Sequence, residues 1–305
     1  MSADVGRSLA RGVRSVRADG TPVYRYERRP GRLPVSVRRF DAGAEPPGAP
    51  DHRHAHDFHV LLYVERGGGS FAVEGEERAL RPGVVHALAP GEVIAAPAAA
   101  PSHDGRAWSV AFTPDAVPEL ADVSPLTWPH HPLLALFAPG AGTAEVAAAD
   151  RARWRSWLED LADEAGRPDR LGAHEAAGAL LTRLLVASAR LAPAVPGAPD
   201  PVVQRVFEQI EATFREPVSA ADVAAALGYT PGHLTTLIRK RTGRPLLEWI
   251  TERRMTEVRR LLRETDLPLA VVASRTGLRD ASYLVRRFRA RYGATPQAWR
   301  RSQRS

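Results

Sequence analysis

Apolar residues follow two different rhythms along this chain. Between Leu33 and Trp108 they come in short runs, LPVSVRRF, FHVLLYVE, GSFAVE, ERAL, VVHALAP and AWSVAFT, punctuated by Gly67-Gly68-Gly69, Glu74-Gly75, Pro82-Gly83 and Pro90-Gly91. Alternating or continuous apolar runs of this length between turn signals predict several short strands, hence a small barrel or sandwich. Beyond Thr113 the step becomes three and four residues. Segment 146–165 places Trp154, Trp157, Leu158 and Leu161 on one side, and 172–191 does the same with Leu180, Leu181, Leu184, Leu185 and Leu191. These stripes predict two amphipathic helices, whose apolar faces are either core or a dimer surface. Further helices are predicted at 202–214 (Val202, Val203, Val206, Phe207, Ile210 and Phe214 inward) and 246–263 (Leu247, Ile250, Arg254, Val258, Leu261 and Leu262).

The stretch SAADVAAALGYTPGHLTTLIRKRTG, from Ser219 to Gly243, reads as a helix, a tight turn and a second helix. Ser219 and Asp222 have the spacing of a capping box. Val223, Ala226 and Leu227 then carry one face to Gly228, whose missing Cβ permits the turn. Thr230 is placed to cap the next helix and Pro231 to occupy its first position, where an N–H would be unpaired anyway. Leu234, Leu237 and Ile238 face inward in this reading, leaving Gly232, Thr235, Thr236, Arg239 and Lys240 outward. A helix pair of this sort also occurs in proteins that never touch DNA. A second copy strengthens the nucleic-acid reading. At an offset of 50, Asp280 repeats Thr230, Leu284 repeats Leu234, Phe288 repeats Ile238, Gly293 repeats Gly243 and Trp299 repeats Trp249; Gly277 repeats Gly228 at 49, so the second turn holds one extra residue.

Between the strand-rich and repeat-bearing parts lies APAVPGAPDP, 192–201, with four prolines, which reads as a semi-rigid linker. The expected organisation is a mobile tail over 1–20, a β-rich domain over 21–115, a helical connector over 116–191, the linker over 192–201 and a second domain over 202–305. The fold class is α+β, with a β-barrel in front of an all-α tandem helix-turn-helix domain.

Charge follows that division. Residues 201–305 hold 20 arginines and lysines against 10 acidic residues, net +10, whereas residues 1–200 are net −3 with 22 against 25. A basic half is the electrostatic footprint of a phosphate binder, because neutralising phosphates releases counterions. Lys240 is the only lysine, so a general preference for arginine is the plainer source of basicity, but it does not explain the asymmetry. There is no cysteine, which excludes disulfides, thiolate metal sites and cysteine nucleophiles. The first 40 residues contain ten arginines and no apolar run of secretory length, and nothing later suggests a membrane span. The expected location is cytoplasmic.

From Gly228 onward, the stretch GYTPGHLTTLIRKRTGRPLLEWITERRMTEVRRLLRETDLPLAVVASRTGLRDASYLVRRFRARYGATPQAWR resembles the DNA-binding domain of the AraC family of bacterial transcription regulators over both turns, the linking helix and the Gly-x-x-Pro-x-x-aromatic ending. The resemblance implies that Gly232, Thr235 and Thr236 in one helix and Ala281, Ser282, Val285 and Arg286 in the other face bases of a double-stranded operator. Thr236 stands where many relatives carry arginine, and Gly232 offers no side chain. Thr235 and Thr236 can give a hydroxyl bond or a thymine-methyl contact, while Arg286 can contact guanine O6 and N7 bidentately, which makes it the sharper expected reader. Thr230, Arg239, Lys240, Arg241, Arg287 and Arg289 are expected at phosphates, the alternative being a solvated basic face. His233, beside Leu234, reads as a packing or phosphate-side residue.

The segment HRHAHDFHVLLYVERGGGSFAVEGEERALRPGVVHALAPGEV is similar, more weakly, to the cupin-like sensor domain found in front of such DNA-binding domains. A metal-binding cupin would supply His-x-His, a glutamate four residues later and a further histidine. His54 and His56 match, but Val60 and Ile94 occupy the other two positions. His52, His59 and His86 could complete a set, since imidazole binds zinc, iron and nickel; the alternative is a histidine cluster at a β-edge. The expectation is no cofactor and no enzyme, with a small-molecule effector among His56, Phe58, Leu62, Tyr63, Phe71 and Trp108, residues that could equally be plain core. The competing readings are a metal-responsive regulator or a metal-dependent cupin enzyme fused to a DNA-binding domain. A homodimer would fit a two-half-site operator. RNA polymerase is a partner if the protein activates; activator and repressor remain open.

Overall fold

The computed structural model describes residues 13–17, 19–29, 32–41, 53–95, 105–121, 123–193 and 200–302. The chain forms two compact units, one made of Met1–Glu27, Gly31–Pro118 and His130–Val195, the other of Arg28–Pro30, Glu119–Pro129 and Pro196–Ser305.

The first unit holds eleven strands among the described residues: β1 (Val13–Val16), β2 (Pro22–Tyr24), β3 (Val35–Asp41), β4 (His54–His56), β5 (His59–Arg66), β6 (Ser70–Val73), β7 (Glu76–Ala79), β8 (Val84–Leu88), β9 (Val93–Ala95), β10 (Arg106–Phe112) and β11 (Thr143–Glu145). They make two sheets, in the orders β1-β2-β4-β9-β6-β7 and β11-β8-β5-β10-β3. Period-two alternation explains how the sheets meet. Val60, Leu88 and Ala111 from the five-stranded sheet pack with Phe71 and Val73 from the other, joined by Tyr26 and Phe58. The opposite face of the five-stranded sheet is also buried, because helices cover it. Trp154 of α2 (Arg151–Gly166) packs its ring 5.6 Å from Tyr63, and α2 packs on α3 (Ala173–Leu191). A strand set buried on both faces reads as a continuous apolar run, which is the pattern of FHVLLYVE.

Three expectations need correction here. Residues 13–16, placed within a mobile tail, pair as β1 with β2; residues 1–12 lie outside the described residues. The helical stretch expected from 146 begins at Arg151, and β11 interrupts the region expected to be helical beyond Thr113. The apolar stripes of α2 and α3, with Trp154, Leu158, Leu161, Leu181, Leu184 and Leu185 all buried, are core within a single chain, so they are not the dimer surface. Most of the linker, 194–199, lies outside the described residues.

The second unit is helical. After the short α1 (Pro118–Ala121) come α4 (Pro201–Thr213), α5 (Ala220–Ala226), α6 (Pro231–Thr242), α7 (Leu246–Glu264), α8 (Leu269–Arg275), α9 (Ala281–Tyr292) and α10 (Pro296–Ser302). The repeat is structural: α6 and α9 are each 12 residues long and each ends at a left-handed glycine, Gly243 at φ 72° and Gly293 at φ 75°. Asp200 caps α4, accepting from the Val202 and Val203 amides, with Pro201 in the first helical position. The capping box of Ser219 and Asp222 is present, with Asp222 N donating to Ser219 Oγ and Ser219 N to the Asp222 carboxylate.

Candidate nucleic-acid interface

Each recognition-type helix is anchored by the apolar positions that the repeat predicts. Leu234 and Ile238 of α6 and Leu284 and Phe288 of α9 are fully buried. Three face assignments change. Leu237 is only half-buried, and in α5 the inward pair is Val223 and Ala224 while Ala226 is exposed. In α7 the buried neighbour of Ile250 is Leu246, with Leu247 50% exposed. Thr230, expected to cap α6, makes no side-chain cap bond, whereas Asp280 accepts the Tyr283 amide at 2.7 Å. That hydrogen bond, with Arg279 beside it, holds the Asp280 carboxyl below its ordinary pKa.

α7, 19 residues and about 28 Å long, lies between the two copies and carries the polar framework of the unit. Arg253 makes a two-pronged pairing with Glu211 of α4, Nε to Oε2 at 2.8 Å and Nη2 to Oε1 at 2.8 Å, and stacks over Phe214. Buried Glu257 takes Arg253, Arg260 and Arg215 around one carboxylate. Arg254, itself buried, donates from Nε to the Phe214 carbonyl at 2.8 Å and from Nη2 to the Glu216 and Val218 carbonyls at 2.6 and 3.0 Å. A cation at the carbonyl end of α4 meets the negative pole of that helix. The same loop is gripped from the second copy. Gly277 has φ +66°, and a Cβ there would press into the Phe214 and Glu216 carbonyl oxygens. Arg254 and Gly277 thus tie the loop in front of the first motif to the turn of the second.

Among the residues expected to face bases, Gly232, Thr236, Ser282 and Arg286 are exposed and Thr235, Ala281 and Val285 half-buried. Of the expected phosphate residues, Thr230, Arg239, Lys240 and Arg289 are exposed, and their side chains make no hydrogen bond or ion pair with any described residue. Arg241 is instead paired with Asp200 at 3.3 Å, which compensates part of its charge. Arg287 donates from Nε to the Tyr283 hydroxyl at 2.9 Å. Tyr283 is a site residue that the sequence does not single out, yet the guanidinium groups of Arg279, Arg286 and Arg287 gather around its ring at 5.7, 6.0 and 5.4 Å. Its helical spacing of three and four residues to Arg286 and Arg287 is the signal that could have found it. The corresponding pair in the first copy is Tyr229 stacked on His233, ring centroids 5.9 Å apart.

In the first unit the expected effector residues separate onto two faces. Phe58 and Phe71 belong to the core between the sheets, and Leu62 packs against it. His56 stacks on Phe58 at 4.6 Å. Tyr63 and Trp108, paired with each other in register, lie on the other face, toward α2. Strand alternation makes this unavoidable, since residues 62 and 63 of one strand point opposite ways. Of the candidate metal histidines, His52 lies outside the described residues, and the other four are not gathered either. His54 and His56 have rings 4.9 Å apart, but His59 packs against Phe112 and Phe137 and His86 against Phe71. Among the described residues no cluster of metal-ligating side chains is formed. Burial pushes the His56 and His86 rings down to about 3 and about 4, so both are neutral at physiological pH.

Two outward helices with basic last turns, repeated on one buried framework, define a double helix-turn-helix protein that binds DNA to regulate transcription. Residues 223–302 match the family description "Helix-turn-helix domain" and residues 42–185 match "AraC-like ligand binding domain". The chain belongs to the AraC-type regulators, with an effector-binding N-terminal domain. It is 30% identical over 98 residues to the multiple antibiotic resistance protein MarA of Escherichia coli strain K12, covering 32% of this chain and 77% of that protein. The transcriptional activator AarP of Providencia stuartii is 31% identical over 101 residues, 33% of this chain and 75% of AarP. Among solved structures, the C-terminal domain of AraT, a response regulator from Geobacillus stearothermophilus, matches with 27% identity and a TM-score of 0.34, covering 35% of this chain and 88% of that one. No helix among the described residues is long and apolar enough to cross a membrane.

Proposed function

We propose that the two copies divide the reading of one operator. Thr235 and Thr236, with Gly232 allowing close approach, meet methyl and hydroxyl-accepting edges, while Ser282, Ala281, Val285 and above all Arg286 read bases through the second helix. Thr230, Arg239, Lys240 and Arg289 hold phosphates, joined by Arg287 on its Tyr283 support. The observation that carries this reading is the set of exposed, uncompensated cations in the last turns of both helices, above small or polar first turns. α7 has a length suited to spacing two helices along successive major grooves, about 34 Å apart.

The same reading makes the protein a cytoplasmic, non-enzymatic regulator whose cupin-like domain binds its effector between the two sheets, near His56, Phe58, Leu62 and Phe71, without a metal. A homodimer is retained for a two-half-site operator, and RNA polymerase as a partner if the outcome is activation. Metal analysis of purified protein checks one part: stoichiometric bound metal would replace the effector reading with a metal-responsive one. Selection of bound DNA from a random pool, with and without metabolite extract, tests the whole. The expected result is a motif in two blocks about one helical turn apart, with enrichment altered by extract; no enriched motif would contradict sequence-specific regulation.

A further inference from the structure

The inner face of the five-stranded sheet carries one row of polar side chains across an apolar surface. In register, Arg38 of β3 lies beside Ser109 of β10, Ser109 beside Leu62 of β5, Leu62 beside His86 of β8, and His86 beside Thr143 of β11. Directly paired residues share a face, and this face is the one that turns Val60, Leu88 and Ala111 toward Phe58, Phe71 and Val73. The row above it, Ser36, Ala111, Val60 and Leu88, is closed by the hydrogen bond between Ser36 Oγ and the Tyr26 hydroxyl at 2.7 Å.

The polar groups of the middle row are only partly satisfied by the described residues. Arg38 is half-buried; burial alone lowers its pKa, and no described residue gives its side chain a hydrogen bond or an ion pair. Ser109 is 5% exposed. His86 is 1% exposed, its Nδ1 lies 3.2 Å from Thr143 Oγ1, and its Nε2 has no hydrogen-bond partner. The charges acting on His86 are those of Arg78 and Arg81, both positive. The carboxylate acting with Arg78 is Glu92, which accepts the Ala89 amide at 2.7 Å. Nothing acidic among the described residues acts on Arg38. On β10, the inward positions 107, 109 and 111 are Ala, Ser and Ala, so the strand beside Arg38 presents little bulk.

A half-buried guanidinium without a counter-charge among the described residues is partly desolvated, and the strongest compensation is a carboxylate meeting its planar fork in two parallel hydrogen bonds. A neutral sugar-like ligand would leave that charge uncompensated. His86, neutral and with one open ring nitrogen, asks only for a single hydrogen bond. We propose that the space between the sheets takes a carboxylate-bearing, otherwise largely apolar small molecule, its carboxylate held by Arg38 and Ser109 and a neutral polar group meeting His86 Nε2. This rests on the effector reading above. Three strand spacings separate Arg38 from His86, roughly 14 Å between backbones, which suits a single-ring or short-chain acid lying across Leu62.

Calorimetric and melting titrations of the full-length protein with benzoate, phenylacetate, hexanoate and octanoate, each against its own amide, test the proposal. At least one carboxylate binds about ten-fold or more tightly than its amide. Arg38→Gln removes that preference, Arg38→Lys restores part of it, and Ser109→Ala weakens the acid several-fold while leaving the amide unaffected. Unliganded melting of each variant identifies any that simply fails to fold, and the lysine variant then decides. Amides that bind as well as acids, insensitive to Arg38→Gln, would overturn the carboxylate assignment while leaving an effector between the sheets. If neither series binds, the assignment is overturned, and the extract-dependent DNA selection judges the effector reading separately.

Discussion

The two helix-turn-helix copies share a frame and differ in how they are held. Both present a 12-residue helix ending at a left-handed glycine. The first turn, at Gly228, faces open space, and the Thr230 hydroxyl at the head of α6 makes no cap bond. The second turn, at Gly277, is pressed against the Phe214 and Glu216 carbonyls, and α9 is capped by Asp280. The aromatic–imidazole stack of Tyr229 and His233 becomes, in the second copy, a ring with three guanidinium groups around it. The copy whose face carries the longer, charged side chains is also the more firmly seated. A side chain that must place two hydrogen bonds on one base edge needs a fixed platform, whereas a methyl or hydroxyl contact tolerates a looser one.

The largest effect is expected where the two copies are tied together. Arg254→Met takes the guanidinium away from three carbonyls, of which that of Glu216 keeps the Val218 amide, and should cost about 3 kcal/mol, read by denaturant melts of the full-length protein; an unchanged midpoint would break the link. Gly277→Ala follows at about 2 kcal/mol or more, since it adds a backbone collision to an unfavourable positive φ, while Gly228→Ala should cost only about 1 kcal/mol because its Cβ has room. Equal losses at the two glycines would remove the asymmetry. Asp280→Ala should lower the melting midpoint more than Thr230→Ala, which has no cap bond to lose. Because the Asp280 carboxyl titrates below its ordinary value, its contribution is present above about pH 4 and is lost as pH falls through the lowered folded value. A melting series from about pH 6 to 3, with the Asp280→Ala protein as control, checks the sign.

How much of this is legible in the sequence follows the range of the interactions. The repeat, the capping box and the buried Leu234, Ile238, Leu284 and Phe288 depend on spacing within one helix or turn, and the sequence carries them openly. The grip of Arg254 and Gly277 on the 214–218 loop joins residues far apart in the chain, so periodicity marks Arg254 as inward and no more. In the β-rich unit the strands are visible as apolar runs, but Tyr63 and Trp108 group with Leu62 and Phe71 in the sequence because composition does not say which face a fully buried strand turns where. Arg38 escapes notice for the same reason: its place beside Ser109, in one row with His86, is a matter of register across four strands. Thr230 shows a further gap, since a residue suited to capping need not make the bond.

The central claim, that the second copy specifies and the first copy positions, meets its most direct test in the affinities of Arg286→Ala and Arg239→Ala for the selected operator and for a scrambled duplex across a salt series. Arg286→Ala should lose about 1–3 kcal/mol on the operator alone, narrowing the ratio between the two DNAs, whereas Arg239→Ala should weaken both alike and reduce the salt slope by about 1. Equal loss of discrimination in the two variants, or an operator preference untouched by Arg286→Ala, would contradict it.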